Sequence, residues 1–117
     1  MDFKLHEINS LRIAELLNDE QLIHSIEDGF DLVGTFYFEG VDCIILKDIH
    51  LNPDFFDLKT GFAGEILQKF STYGLKLAII GNFQRYKSES LKAFIFESNR
   101  GGRVQFRNNL DEAIKNL

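Results

Sequence analysis

Two short runs that are apolar at almost every position constrain the fold of this chain most. They cover residues 41–46 (VDCIIL) and 75–80 (LKLAII), and a helical pattern separates them. Runs of this kind are typical of strands that are buried on both faces of a parallel sheet. Parallel neighbours need a long crossover connection, which the helical segment between the runs supplies. The sequence therefore predicts an α/β fold built from βα units.

A hairpin is predicted before the first of these runs. Residues 3–8 and 11–16 each alternate apolar and polar side chains, as half-buried strands do. Asn9-Ser10 between them is a two-residue polar turn. We therefore expect the first strand to lie antiparallel to the second.

Helix starts are predicted at capping residues. Ser25 precedes the first helical pattern, and Asn52-Pro53 combines an N-cap with a proline at the first helical position. We expect this second helix to continue until Gly74 ends it. Ser88 and Asn109 cap two further helices.

The elements combine into one order. Residues 103–107 alternate and predict an edge strand, so the full order is ββαβαβαβα. Right-handed helical crossovers then give one mostly parallel sheet of about five strands. No linker or low-complexity stretch divides the chain, which predicts a single α/β domain over residues 1–117.

Composition excludes several classes of protein. No apolar run reaches the ~18–20 residues of a membrane span, and the N-terminus lacks a signal-peptide pattern. The lone Cys43 excludes an internal disulfide and a multi-cysteine zinc site. The net charge of −5 argues against nucleic-acid binding. We expect a cytoplasmic protein with no cofactor, no metal, and neither nucleic acid nor membrane as a partner.

The charge is uneven, and the chain is rich in phenylalanine. Residues 1–58 carry a net charge of −10 and residues 59–117 carry +5, which either marks a partner surface or is compensated on folding. The chain has twelve Phe, and four of them do not all fit the apolar stripes, namely Phe36, Phe38, Phe83 and Phe96. Surplus Phe favours a self-association surface and a homodimer, and bulk filling of a core without Trp is the alternative.

The best place for a site is the edge of the sheet where the parallel strands end. The loops after the third and fourth strands meet there and carry polar and aromatic side chains. We predict an interaction surface formed by Lys47, Asp48, His50, Asp57, Thr60, Asn82, Arg85, Tyr86 and Ser88.

Two other uses of these loops are open. A metal or acid-base cluster could be formed by Asp48, His50, Asp54 and Asp57, but their spacing matches no metal motif, and capping and solvated surface are favoured. We therefore assign no catalytic residue and no metal ligand. The small residues of Thr60–Gly64 suit an anion or tight packing of a helix on the sheet, and packing is favoured.

Several stretches resemble a known family. Residues 57–70 read DLKTGFAGEILQKF and lead into KLAIIG at 76–81, and YKSESL follows at 86–91. Over essentially its full length the chain resembles the bacterial family catalogued as domain of unknown function 4180. Membership in that family implies no activity.

The element order also resembles the STAS fold of sulfate transporters and anti-sigma factor antagonists. Such domains act mainly as protein-binding or nucleotide-sensing modules, and the antagonists take a phosphate on a Ser or Thr in a pattern similar to Asp-Ser-Ser-Gly. Here the matching region is Asp57–Gly61, so the resemblance implies Thr60 as the phosphoacceptor. Leu58 and Lys59 depart from the small residues of that pattern.

Two functions follow as hypotheses. The first is a non-enzymatic regulatory or protein-interaction domain with an unknown protein partner. The alternative is a small-ligand-binding domain or an enzyme that uses Asp48, His50, Asp57 and Arg85 in the same cleft. A deep pocket would favour the alternative, and a flat surface with an exposed hydroxyl on Thr60 or Ser88 would favour the first.

Overall fold

Five strands form one sheet in the computed structural model, which describes residues 1–117. The strands are β1 (Phe3–Ile8), β2 (Leu11–Leu16), β3 (Cys43–Lys47), β4 (Lys76–Ile80) and β5 (Val104–Arg107). They lie side by side in chain order, with β1 antiparallel to β2 and every other neighbouring pair parallel. The predicted α/β class, element order and antiparallel first strand are confirmed.

Four helices complete the chain, and three of them begin at the predicted capping residues. The helices are α1 (Ile26–Phe38), α2 (Phe62–Thr72), α3 (Glu89–Gly101) and α4 (Leu110–Lys115). The side chains of Ser25, Ser88 and Asn109 accept backbone hydrogen bonds from the first turns of α1, α3 and α4. None of the four helices has the length and apolar character needed to cross a bilayer.

The main core lies on one face of the sheet. Because each parallel strand is added on the same side of the one before, right-handed crossovers place α1, α2 and α3 on a common face. Buried side chains such as Phe36 of α1, Phe70 of α2 and Leu91 of α3 pack there on the strands. This face carries 21 of the buried core residues.

The other face has a much smaller core. Five buried residues form it, namely Ile13, Cys43, Ile45, Ala78 and Ala113. Ala113 belongs to α4, and its neighbours Leu110 and Ile114 pack on the same cluster. The short last helix therefore shields the inner strands on this face.

The predicted second helix is broken into three pieces. Asn52 caps only a 3₁₀ turn, Pro53–Phe56, and a second 3₁₀ turn, Leu58–Thr60, follows. The helix α2 starts after Gly61, whose φ of +77° does not fit a right-handed helix. The prediction of one helix from Pro53 is wrong because local hydrogen bonds of the Thr60 hydroxyl compete with helical ones.

Candidate functional site

The ends of β3 and β4 place two loops side by side. The register pairs Lys47 with Ile80, so the next residues along each strand, Asp48 and Gly81, are neighbours. The loop after β4 continues through a 3₁₀ turn, Phe83–Arg85, which returns Arg85 towards Asp48. The predicted meeting of the two loops is therefore present in the structure.

Asp48, Arg85 and Tyr86 form a connected group at this edge. The Asp48 carboxylate accepts a hydrogen bond from the Ile49 N–H at 2.8 Å and lies 3.2 Å from Arg85 Nη2. The same nitrogen donates to the Tyr86 hydroxyl at 2.8 Å, and the guanidinium carbon lies 4.9 Å from the Tyr86 ring centre. Asp48 is nearly covered, with 11% of its side chain exposed, whereas 54% of the Arg85 side chain is exposed.

The charge of Arg85 is secured by its neighbours. The hydrogen bond to Tyr86 is the largest cause that raises the pKa of Arg85 above its already high usual value, and the negative charge of Asp48 also contributes. Its Nε and Nη1 have no hydrogen-bond partner within the chain, since both contacts use Nη2. A fixed cation with free donors therefore faces solvent.

A shallow cavity of about 290 Å³ lies beside Arg85. Its lining is half apolar and comprises Gln21, Asp48, Ile49, Leu51, Pro53, Phe56, Arg85 and Tyr86. The rings of Phe56 and Tyr86 stack at 5.0 Å and 18°, which holds Tyr86 in place. Ile49 is 49% exposed at the rim.

His50 lies behind this edge and has a structural role. The side chain is fully buried; its Nδ1 accepts from the Lys47 N–H at 2.9 Å, and Nε2 donates to the Asn18 carbonyl at 2.6 Å. Burial lowers the pKa of His50, which keeps the ring neutral in this tautomer. Both ring nitrogens are occupied by backbone groups, so His50 is not free to serve the cleft.

Thr60 is exposed and lies just before α2. Its hydroxyl donates towards the carbonyl oxygens of Asp57 and Asp54, at 2.8 and 3.0 Å, and accepts from the Phe62 N–H at 3.1 Å. The side chain is therefore accessible at a helix start, although its hydrogen bonds are already made locally.

Comparison with models of protein families shows which family the chain belongs to. A family model described as Domain of unknown function (DUF4180) matches residues 8–117, nearly the whole chain. The chain belongs to the DUF4180 family. Neither a comparison with curated proteins nor one with solved structures gives a significant match to this DUF4180 chain. The resemblance to DUF4180 is thus confirmed, and the resemblance to the STAS fold is not.

The DUF4180 structure divides the predicted surface residues into groups. Asp48, Arg85 and Tyr86 share the cavity described above. Lys47 pairs with Asp19 at 3.3 Å on the surface. The other predicted residues Asn82 and Ser88 are exposed caps of the turn at Phe83–Arg85 and of α3.

The acidic and histidine side chains after β3 do not assemble. No three His, Cys, Asp or Glu side chains lie close enough together to hold a metal ion. Asp57 is exposed, and its backbone carbonyl binds Thr60. The acid-base alternative therefore has no assembled cluster in this DUF4180 chain.

The packing role favoured for the glycines of Thr60–Gly64 is wrong. A Cβ added to Gly61 or Gly64 would meet nothing within 4 Å. Gly61 is needed for its positive φ, and buried Ala63 packs on the core instead. The close approach that glycine permits lies elsewhere, because a Cβ on Gly29 of α1 would stand 2.7 Å from Cγ1 of Ile66 in α2.

For some residues that line the cavity beside Arg85, nothing in the sequence indicates that they lie there. Phe56 lies in the segment predicted as one continuous helix, and Gln21 lies far from the loops along the chain. A short parallel bridge between Ile23 and Leu51 brings the segment after β2 to this edge. An isolated bridge of this kind leaves no pattern in the sequence.

Of the four Phe that do not all fit the apolar stripes, one lies in the core, one packs against it, and two are exposed. Phe36 is fully buried, and Phe83 packs among other aromatic rings. Phe38 and Phe96 are 87% and 62% exposed on α1 and α3. The homodimer stays a prediction that these two side chains support.

Proposed function

We propose that this DUF4180 chain is a non-enzymatic, regulatory protein-interaction domain of the cytoplasm, with its binding surface around Arg85. The observation that carries the proposal is an exposed arginine, held by Asp48 and Tyr86 at the rim of a shallow, half-apolar cavity. Arg and Tyr are enriched among the residues that dominate protein interfaces. Their fixed geometry lowers the conformational cost of binding.

The free donors of Arg85 indicate the chemistry of the partner. Either Nε or Nη1, each with a free N–H, can donate to a carboxylate of the partner, while Asp48 holds the guanidinium in place. An apolar partner side chain fits beside Ile49 and Phe56. We therefore expect a protein partner that presents an acidic residue next to an apolar one.

A binding role is favoured over catalysis by the state of the neighbouring groups. His50 uses both ring nitrogens on backbone groups, and no Ser, Thr or Cys side chain lines the cavity beside Arg85. The one hydroxyl there, that of Tyr86, accepts a hydrogen bond from Arg85 and has no base among its partners. A nucleophile with a base in hydrogen-bond reach is the usual minimum for covalent catalysis.

The proposal is tested by affinity capture from the native cell followed by mass spectrometry. Arg85→Ala and Ile49→Ser should lose a partner that the unchanged protein retains. Lys87→Ala is the matched control, since Lys87 is exposed in the same loop and makes no ion pair. Equal capture by all four proteins, each with an unchanged melting temperature, would rule out this surface.

Regulation by a phosphate on Thr60 is part of the proposal. The side chain is exposed, and a phosphate there would lie beside the N–H groups of the first turn of α2 and next to Lys59. Asp57 opposes this effect with its own negative charge. Thr60→Glu is expected to weaken capture of the partner, and Thr60→Ala to leave the fold intact; equal capture by both variants would remove Thr60 from the mechanism.

A small anionic ligand is the second candidate, and the cavity beside Arg85 favours it. Its volume of about 290 Å³ is at the lower limit of ordinary ligand pockets. Thermal shift assays with small carboxylates and phosphates would separate the two functions. An increase in melting temperature that is lost in Arg85→Ala but kept in Lys87→Ala would favour the ligand.

A further inference from the structure

The two edge strands of the sheet, β1 and β5, differ in whether a side chain bonds to their outward backbone groups. At the β5 edge, Asn99 of α3 accepts from the Phe106 N–H at 2.8 Å and donates to the Phe106 carbonyl at 3.3 Å. This side chain occupies the backbone groups that another strand would need, a common protection of edge strands. At the β1 edge no side chain has this role.

The register of the hairpin shows which β1 groups are unpaired. Asn9 and Ser10 both have positive φ, 54° and 67°, as in a two-residue type I′ turn. Ile8 and Leu11 close this turn as a hydrogen-bonded pair, and the Leu17 N–H to Asp2 carbonyl bond continues the alternation. The even-numbered residues therefore bond to β2. The N–H and C=O groups of Phe3, Leu5 and Glu7 point outwards.

The side chains of this edge leave apolar surface uncovered. Phe3 and Leu5 lie on the helix side of the sheet, where Phe3 contacts Phe36 of α1 edge-on at 5.0 Å between ring centres. They are nevertheless 41% and 46% exposed. An edge strand with free backbone groups and exposed apolar side chains is a template for strand addition.

The surroundings of the β1 edge are acidic. A cavity of about 260 Å³ lies where β1 begins and is lined by Met1, Leu22, Ile23, Asp28, Asp31, Leu32 and Thr35. It contains two carboxylates and no basic side chain, and neither carboxylate forms an ion pair. Residues 1–58, which include β1 and α1, carry a net charge of −10.

We infer that the β1 edge binds an extended, basic segment of a partner protein as a sixth strand. The outward N–H and C=O groups of Phe3, Leu5 and Glu7 bond to its backbone. Its apolar side chains cover Phe3 and Leu5, and its Lys or Arg side chains face Asp28 and Asp31. A second copy of this chain fits less well, because it would bring another acidic half to the same edge.

This surface shares no residue with the one around Arg85, so each can fail without the other. The probe is a synthetic peptide that carries Val and Lys on the same strand face, the Val residues opposite Phe3 and Leu5 and the Lys residues beyond them towards Asp28 and Asp31, with Thr on the other face. Its binding is followed by titration calorimetry. Amide hydrogen exchange in the unchanged protein gives the second readout. We expect the Phe3, Leu5 and Glu7 amides to exchange more slowly with the peptide bound.

The controls separate strand addition from simple charge attraction. The same peptide with N-methyl groups on the backbone nitrogens of both edges keeps its charge but cannot donate to a neighbouring strand from either edge, so it should not bind. Leu5→Pro removes an outward N–H without touching the bonds to β2, so affinity should fall by about three- to tenfold. Phe96→Ser on α3 is the matched control and should bind as the unchanged protein does.

Three results would overturn the inference. Equal binding of the N-methylated peptide would show attraction by charge alone. Exchange at Phe3, Leu5 and Glu7 that stays unchanged with peptide bound would place the peptide elsewhere. A dimer in sedimentation that Leu5→Pro converts to monomer would show that the edge is filled by a second copy.

Discussion

Gly81 lies directly against the carboxylate of Asp48. A Cβ built on Gly81 would stand 2.5 Å from Oδ2 and 2.6 Å from Cγ of Asp48, distances that real Cβ atoms essentially never show. The position of Asp48, and through it that of Arg85, therefore depends on the absence of a side chain at residue 81. The end of β4 and the surface around Arg85 are linked by this contact.

We expect Gly81→Ala to destabilise the fold by about 1–3 kcal/mol, because Asp48 must move or the strand end must shift. Gly64→Ala is the control, since its Cβ meets nothing within 4 Å and alanine favours a helix by about 1 kcal/mol. Urea denaturation of the three proteins measures both effects. Equal midpoints for Gly81→Ala and the unchanged protein would mean that Asp48 adapts freely.

The contact between α1 and α2 gives a second prediction. Gly29 and Gly34 lie in the same helix, but only a Cβ on Gly29 collides with Ile66, at 2.7 Å. We expect Gly29→Ala to be about 1–3 kcal/mol less stable than Gly34→Ala, a comparison in which the helix propensity of alanine cancels. Denaturation midpoints check this. Two variants of equal stability would show that Ile66 repacks without cost.

Protonation of His50 should couple stability to pH. Since burial lowers the pKa of His50 below the 6.5 of an unfolded histidine, the unfolded chain binds the proton first. The free energy of unfolding should therefore fall as the pH drops below about 6.5, by at most about 1.4 kcal/mol for each pH unit, until the lowered pKa is passed. His50→Gln should flatten this slope between pH 7 and 5, while exposed His24→Gln should keep it. A slope that both variants share would assign the effect to other groups.

Cys43 should be nearly inert in the folded protein. Burial raises the pKa of its thiol to about 12, and the side chain has no exposed surface. At pH 8 about one thiol in 10⁴ is then ionised, and the thiolate is the species that reacts. Labelling with a thiol reagent should be slow in buffer and fast in urea. Rapid labelling without denaturant would contradict the burial of β3.

The sequence specified the elements whose signals are local. The hairpin follows from alternation of apolar and polar residues around a two-residue turn, and Ser25, Ser88 and Asn109 form the caps that their side-chain chemistry predicts. The run at 41–46, apolar at every position but Asp42, predicted the buried strand β3. Each of these signals depends on neighbours within a few residues.

What the sequence left open depends on contacts between distant segments. The role of His50 comes from the carbonyl of Asn18, which lies 32 residues away along the chain. The glycine that allows close packing is Gly29, not the more conspicuous Gly61 and Gly64, because only three-dimensional packing places Ile66 against it. The joining of Asp48 and Arg85 was predicted only as the meeting of two loops, since sheet order fixes neighbours but not side-chain contacts.

The unequal covering of the two sheet faces means that one face can open on its own. The six residues of α4 form the only helix over the small core, and Gln105 of β5 donates to the Asn116 carbonyl just beyond this helix. Elements with few buried contacts detach at lower free energy than the whole fold. Brief release of α4 would let solvent reach Cys43 while the main core stays folded. The residual labelling rate of Cys43 would then measure the opening of α4, and not the unfolding of the protein.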